Sequence, residues 1–82
     1  MIGFKEAVEI AKAQYRMKGV EDVKIGTVYE TDGKWILFRD PGERMQLGTI
    51  IVLVDKENGE TELKGFPSQE MNRVLHTARK VQ

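Results

Sequence analysis

The sequence contains no cysteine, one histidine and two prolines, and these shortages exclude several classes of protein. Without cysteine, neither a disulfide framework nor a zinc site with thiolate ligands can stabilise the fold. The single histidine, His76, has no aspartate or glutamate three or four residues away. We therefore predict a surface or boundary histidine rather than a metal ligand or a general base. The 82 residues must fold around an apolar core, which predicts a single small domain over residues 1–82.

Neither sign of charge predominates, and no apolar run is long. Thirteen basic and thirteen acidic residues give a formal net charge of +0, which removes the usual electrostatic signature of a nucleic-acid-binding protein. No segment approaches the roughly 20 apolar residues that a transmembrane helix needs, and the N-terminus lacks the apolar region of a signal peptide. We predict a cytoplasmic protein that binds neither nucleic acid nor a membrane.

The motifs of common enzymes are also missing. The glycines are scattered over turns and a strand, so no phosphate-binding loop is predicted at a junction between a strand and a helix. The only serine, Ser68, is sufficiently explained as a helix cap and lacks the context of a nucleophile elbow. We predict no catalytic, cofactor-binding or metal-binding residues, and therefore a protein that is not an enzyme.

Two amphipathic helices are predicted, one near each end of the chain. Apolar residues recur at helical spacing over residues 4–18, and Gly19 can adopt the left-handed conformation that ends a helix. After the cap at Ser68, a narrow apolar stripe continues towards the end of the chain. The residues of this stripe are Met71, Val74, Leu75, Ala78 and Val81.

Four strands are predicted between the helices. Residues 23–30 alternate, with Val28 on the wetter face, and the Asp32-Gly33 turn predicts a hairpin to residues 34–39. Residues 50–54 are all apolar, which is typical of a strand with a neighbour on both sides. A turn in which Asn58 or Gly59 takes a positive φ then leads into a charged edge strand. The predicted fold is α+β, with a four-stranded antiparallel meander sheet flanked by an N-terminal and a C-terminal helix (α-β-β-β-β-α).

The second predicted strand is apolar on both faces. Trp35 and Leu37 point one way, and Ile36 and Phe38 point the other way. If both helices pack on one face of the sheet, the other face exposes a contiguous apolar patch, and such patches mark protein interfaces. This arrangement predicts a homodimer or the capture of another protein, with Trp35 and Phe38 as contacts. The alternative arrangement, with one helix on each face, hides both sets of side chains.

Three segments carry a resemblance to a known family. Residues 6–11 (EAVEIA), 33–38 (GKWILF) and 51–60 (IVLVDKENGE), followed by a final helix, resemble the YrhB-like group, also called the immunity protein 35 family. The Val-Asp-Lys-x-x-Gly hairpin is also similar to that of PepSY domains, which are associated with protease inhibition. Residues 48–51 (GTII) stand where the immunity family has Gly-Asn-x-Pro. The resemblance implies a small cytosolic protein of bacterial or phage origin that binds a toxin or a client protein, as an immunity protein or a chaperone-like factor does.

The longest loop and the second hairpin complete the predicted partner surface. If the chain is an immunity protein, we expect the partner to contact residues 40–47 or residues 55–62, where charged groups can steer association. A mobile tether and a solvated turn are the alternative interpretations of these segments. A second functional prediction is a structural protein that homo-oligomerises through an apolar sheet face. The predicted contact residues are Trp35, Phe38, Asp40, Glu43, Arg44, Met45, Leu47, Asp55, Glu57, Glu60 and Glu62.

Overall fold

The computed structural model describes residues 1–20, 23–40 and 49–82. Two helices and five strands follow one another in these residues. In chain order they are α1 (Phe4–Met17), β1 (Ile25–Glu30), β2 (Lys34–Arg39), β3 (Thr49–Asp55), β4 (Thr61–Phe66), α2 (Gln69–Thr77) and β5 (Arg79–Lys80).

The strands form one antiparallel sheet in the order β4-β3-β2-β1-β5. The predicted α+β class and the meander of β1 to β4 are confirmed, including the Asp32-Gly33 hairpin and the edge position of β4, but the sheet has a fifth strand, β5, that the sequence did not predict. The turn between β3 and β4 has its positive φ at Gly59, where φ is 75°. Ile51 to Val54 are buried with a neighbouring strand on each side, whereas Ile50, at the start of the apolar run, is 44% exposed.

The face predicted for Val28 is wrong. Strict alternation from Val23 places Val28 on the wetter side of β1, but its side chain is fully buried beneath α1. The pairing of β1 with β2 shifts between Ile25 and Thr27, so that Gly26 is the extra residue of a β-bulge. Because the side-chain period of a strand is two, one extra residue moves each later side chain of β1 to the face opposite the one that strict alternation predicts.

Each face of the sheet carries its own core. On one face, Ala7, Ala11 and Tyr15 of α1 pack against buried side chains of the sheet; these are Val28, Trp35, Leu37, Val52 and Val54. On the other face, Met71 of α2 packs against Ile36, Ile51 and Leu53. The structure therefore shows one helix on each face, and the conditional expectation of an open apolar face does not hold.

The C-terminal helix is shorter than its apolar stripe predicts. It begins as expected, because the Ser68 hydroxyl accepts a hydrogen bond from the Met71 amide, but it ends at Thr77. Beyond Thr77 the chain turns extended and pairs with β1, where Val81 donates its amide proton to the Val28 carbonyl at 2.7 Å. The backbone groups on the outer edge of β1 need partners, and the extended tail satisfies some of them.

Candidate functional site

Trp35 lies beneath the N-terminal segment rather than on an open surface. Its side chain is 9% exposed, and the indole N–H donates to the Ile2 carbonyl at 3.0 Å. The Phe4 ring meets the indole edge to face with centroids 6.0 Å apart, and the Lys56 Nζ lies 4.7 Å from the indole centroid. These contacts explain a tryptophan at this position by packing, a hydrogen bond and a cation–π interaction.

Phe38 lies on the opposite face of the sheet from Trp35. Its ring is half-buried and makes edge-to-face contacts with Tyr29 and Phe66, with centroid distances of 5.9 Å and 5.1 Å. The aromatic side chains predicted as partner contacts are therefore divided between two faces, each covered by a helix. They do not form one binding surface.

Most of the predicted loop contacts lie outside the described residues. This applies to Glu43, Arg44, Met45 and Leu47. Asp40 is described and exposed, and its backbone amide donates to the Lys24 carbonyl at 2.7 Å, just beyond the β1–β2 ladder. The involvement of the loop in binding stays a prediction.

The turn between β3 and β4 is held in shape by its own side chains. The Asp55 carboxylate accepts a hydrogen bond from the Glu57 amide, and the Asn58 side chain accepts one from the Glu60 amide, both at 2.8 Å. Backbone bonds from Gly59 to Asp55 and from Asp55 to Glu60 close the turn. We call residues 55–62 the acidic hairpin. Its amides are fixed by local acceptors, as in other Asx turns.

The carboxylates of the acidic hairpin differ in how they are compensated. Glu62 lies 3.3 Å from the Lys64 ammonium and 3.8 Å from that of Lys34. Glu57 and Glu60 are exposed and take part in none of the ion pairs among the described residues. The negative charge available to a partner is therefore concentrated at the tip of the hairpin.

Lys64 is the cation that links the hairpin to α2. Its ammonium lies 3.2 Å from a Glu70 carboxylate oxygen and 3.3 Å from Glu62. The hydrogen bonds to Glu70 and Glu62 raise the pKa of Lys64, and the two negative charges act in the same direction. Lys64 is thus positively charged at neutral pH.

A polar cleft of about 340 Å³ opens beside the hairpin, where three parts of the chain meet. Glu30, at the end of β1, pairs with Lys56 at 3.0 Å and with Arg79 of β5. The remaining residues that line the cleft are Thr31, Asp32 and Thr77. Two acidic and two basic side chains line the cleft, so it favours neither an anionic nor a cationic ligand. Its ion pairs connect β1 with the turn after β3 and with β5.

Neither a group of metal-binding side chains nor a membrane-spanning helix is found among the described residues. His76 is exposed on α2, and no three His, Asp or Glu side chains among residues 1–20, 23–40 and 49–82 are grouped to hold a metal ion. Within the same ranges, neither helix has the length and apolar character needed to cross a membrane.

The sequence predictions missed Glu30, Lys56 and Arg79. The three residues lie far apart along the chain, and only the tail that pairs with β1 brings Arg79 beside Glu30. Only the contact between Lys56 and Trp35 had a usable sequence signal. Lys56 follows β3, and β3 pairs with the strand that carries Trp35.

Comparison with known proteins gave no match to this chain: no family model, no curated protein and no solved structure matches it. The resemblance to the YrhB-like group and to PepSY domains therefore stays a prediction from sequence.

Proposed function

We propose that this protein is a non-enzymatic binding module that holds a basic surface of another protein at its acidic hairpin. In this proposal it acts in the cytoplasm, as a bacterial or phage immunity protein or a chaperone-like inhibitor acts on a toxin or client protein. The observation that carries the proposal is the pair of exposed carboxylates, Glu57 and Glu60, which have no ionic partner among the described residues, whereas Lys56 and Glu62 of the same hairpin are paired.

The rigidity of the hairpin supports this role. The hairpin tip carries two side-chain-to-backbone hydrogen bonds of 2.8 Å, and the Lys56 carbonyl accepts from the Ile2 amide at 2.6 Å. A turn that is already ordered loses little conformational entropy on binding. Exposed like charges on such a turn accelerate association with a basic partner and fix its orientation.

The second functional prediction, assembly through an apolar sheet face, has no comparable support. Ile36, Ile51 and Leu53 are buried under α2, while Trp35 and Leu37 are buried under α1. Neither face leaves a large apolar surface for a second copy among the described residues.

The test is a capture experiment with two charge-reversed variants. Immobilised wild-type protein, the double variant Glu57→Lys/Glu60→Lys and the control Glu6→Lys/Glu9→Lys are exposed to lysate of the native host, and bound proteins are identified by mass spectrometry. The control reverses two exposed carboxylates of α1 and gives the same change in net charge.

We expect one or more basic proteins to bind the wild type and the control and to be lost with the hairpin variant. A captured protein is then purified, and its Kd is measured by calorimetry at low and high salt. We expect the reversal of two charges to weaken binding by about tenfold or more, and salt to weaken the wild-type complex. Equal capture by all three proteins would rule out the acidic hairpin as the contact surface.

A further inference from the structure

The outer edge of β4 is a sheet edge that is open in the described part of the chain. β4 is the terminal strand of the sheet, and no strand among residues 1–20, 23–40 and 49–82 pairs with its outer side. The opposite edge, on β1, is covered in part by β5. Helix α1 packs mainly over β1, β2 and β3, and Leu63 of β4 lies at the margin of the core beneath it.

The direction of the backbone groups along β4 follows from its pairing with β3. The Asp55 amide donates to the Glu60 carbonyl, so the backbone groups of Glu60 face β3. Because backbone groups alternate in direction along a strand, those of Glu62 and Lys64 also face β3. The amide and carbonyl groups of Thr61, Leu63 and Gly65 consequently point outward from the sheet.

We propose that two copies of this chain pair through β4, antiparallel and about a two-fold axis through Leu63, to join their sheets into one. At this register the outward groups of Leu63 face those of Leu63 in the second copy, and those of Thr61 face Gly65. Such an arrangement forms about six hydrogen bonds between the chains. This inference concerns self-association and is independent of the basic partner proposed above.

The side chains of β4 select this register by their charge. Glu62 and Lys64 lie on the α2 face, one strand period apart, and are 3.3 Å from each other at their charged ends. With the axis at Leu63, Glu62 of each copy lies directly opposite Lys64 of the other, in pairs of the closely spaced kind.

Registers shifted by one residue on each strand bring like charges together. An axis through Glu62 places two carboxylates opposite each other, and an axis through Lys64 places two ammonium groups opposite each other. Like charges directly across a strand pair are destabilising. The alternating charges that discourage pairing with an unrelated strand therefore permit pairing with a second copy in one register.

The proposal is tested by complementary single reversals in the full-length protein. Glu62→Lys leaves two lysines on β4, and Lys64→Glu leaves two glutamates. We expect sedimentation velocity at high protein concentration to show a dimer for the wild type and monomers for each variant alone. Each reversal should raise the Kd of self-association by about tenfold.

The equimolar mixture of the two variants provides the stronger test. In a mixed dimer each lysine of one chain again faces a glutamate of the other, so we expect association to return. Glu6→Lys, with the same change in charge on the exposed side of α1, is expected to dimerise like the wild type. Persistent dimers of the single variants, or a mixture that stays monomeric, would overturn the proposed register.

A measurement on the wild type alone covers the case in which a variant does not fold. The outward amide of Leu63 is protected from hydrogen exchange only when a second strand accepts its proton. We expect its exchange to slow as the protein concentration rises, while the exchange of Glu62, which donates within the chain, stays constant. Fast exchange of Leu63 at every concentration would show that β4 does not pair with itself.

Discussion

Tyr15 is the residue that fastens α1 to the sheet at its C-terminal end. The side chain is 4% exposed, and its hydroxyl donates to the Ile50 carbonyl and lies 3.5 Å from the Leu37 carbonyl. Burial raises the pKa of Tyr15, against smaller opposing effects from the backbone and the charge of Arg39. A single phenol therefore joins the helix to β2 and β3 and couples this contact to pH.

We expect Tyr15→Phe to lower the free energy of unfolding by about 1 kcal/mol at neutral pH, because the hydrogen bond from the phenol to the partly buried Ile50 carbonyl is lost. The raised pKa means that the folded state holds the phenolic proton more tightly than the unfolded state does. Its contribution is complete below the ordinary pKa of 10.0 and is lost as the pH rises through the folded-state value. Urea titrations below and above this pH measure the difference between the two proteins.

The control for this prediction is Tyr29→Phe, because the Tyr29 hydroxyl makes no hydrogen bond among the described residues and its ring is half-buried. We expect a smaller loss of stability for this control. A difference between wild type and Tyr15→Phe that does not shrink at alkaline pH would contradict the assignment of the raised pKa to Tyr15.

At the scale of elements, the C-terminal tail completes the sheet. β5 spans only Arg79–Lys80, but Val81 and Gln82 extend its bonding to Val28 of β1. The Val28 amide donates to the Gln82 carbonyl at 3.1 Å, and the Val28 carbonyl accepts from the Val81 amide at 2.7 Å and from the Gln82 amide at 3.2 Å. The tail thus covers part of the outer edge of β1. Among the described residues, no strand covers the outer edge of β4 in the same way.

We expect Val81→Pro to loosen the tail, because proline has no amide proton to donate to the Val28 carbonyl and only the longer bond from the Gln82 amide, at 3.2 Å, remains there. The amide of Val28 should then exchange with solvent faster, and the free energy of unfolding should fall by about 1 kcal/mol. Val81→Ala is the matched control, since it shortens the side chain and keeps the amide. Unchanged protection of Val28 in the proline variant would show that the tail does not depend on this bond.

At the scale of the whole molecule, Glu30 connects parts of the chain that lie far apart in sequence. Its carboxylate is 14% exposed and pairs with Lys56, after β3, and with Arg79, after α2. The Lys56 side chain is similarly buried, with 13% of its surface exposed, and its ammonium lies over the Trp35 ring. Ion pairs with this degree of burial respond strongly to the loss of one partner, because the remaining charge is left uncompensated.

We expect Glu30→Gln to lower the free energy of unfolding by about 2 kcal/mol, since Lys56 keeps its charge and loses its counterion. Thermal and urea unfolding measure the loss. Glu57→Gln is the control, because Glu57 is exposed and has no ion pair among the described residues. If the two variants were equally stable, the network would contribute no more than a surface charge.

The sequence alone determined the local structure, because the signals for it are local. Gly19 ends α1 with φ at 86°, Gly59 supplies the positive φ of the second hairpin, and Ser68 caps α2, each as expected from steric and hydrogen-bonding rules. The unbroken apolar run in β3 similarly indicated a central strand, whereas the two apolar faces of β2 left open whether one face of the sheet is exposed.

Only the tertiary structure decided which helix covers which face, how the tail is used and which charges are paired. The apolar stripe that ends at Val81 is equally compatible with a longer helix. In the folded chain, residues after Thr77 instead form hydrogen bonds to the outer edge of β1, whose backbone groups need partners. The bulge at Gly26 and the pairing of Glu30 with Arg79 likewise depend on strands that come together from distant positions. The tip of the acidic hairpin and the edge of β4 are defined as surfaces only after those pairings are known, because exposure is a property of the folded chain.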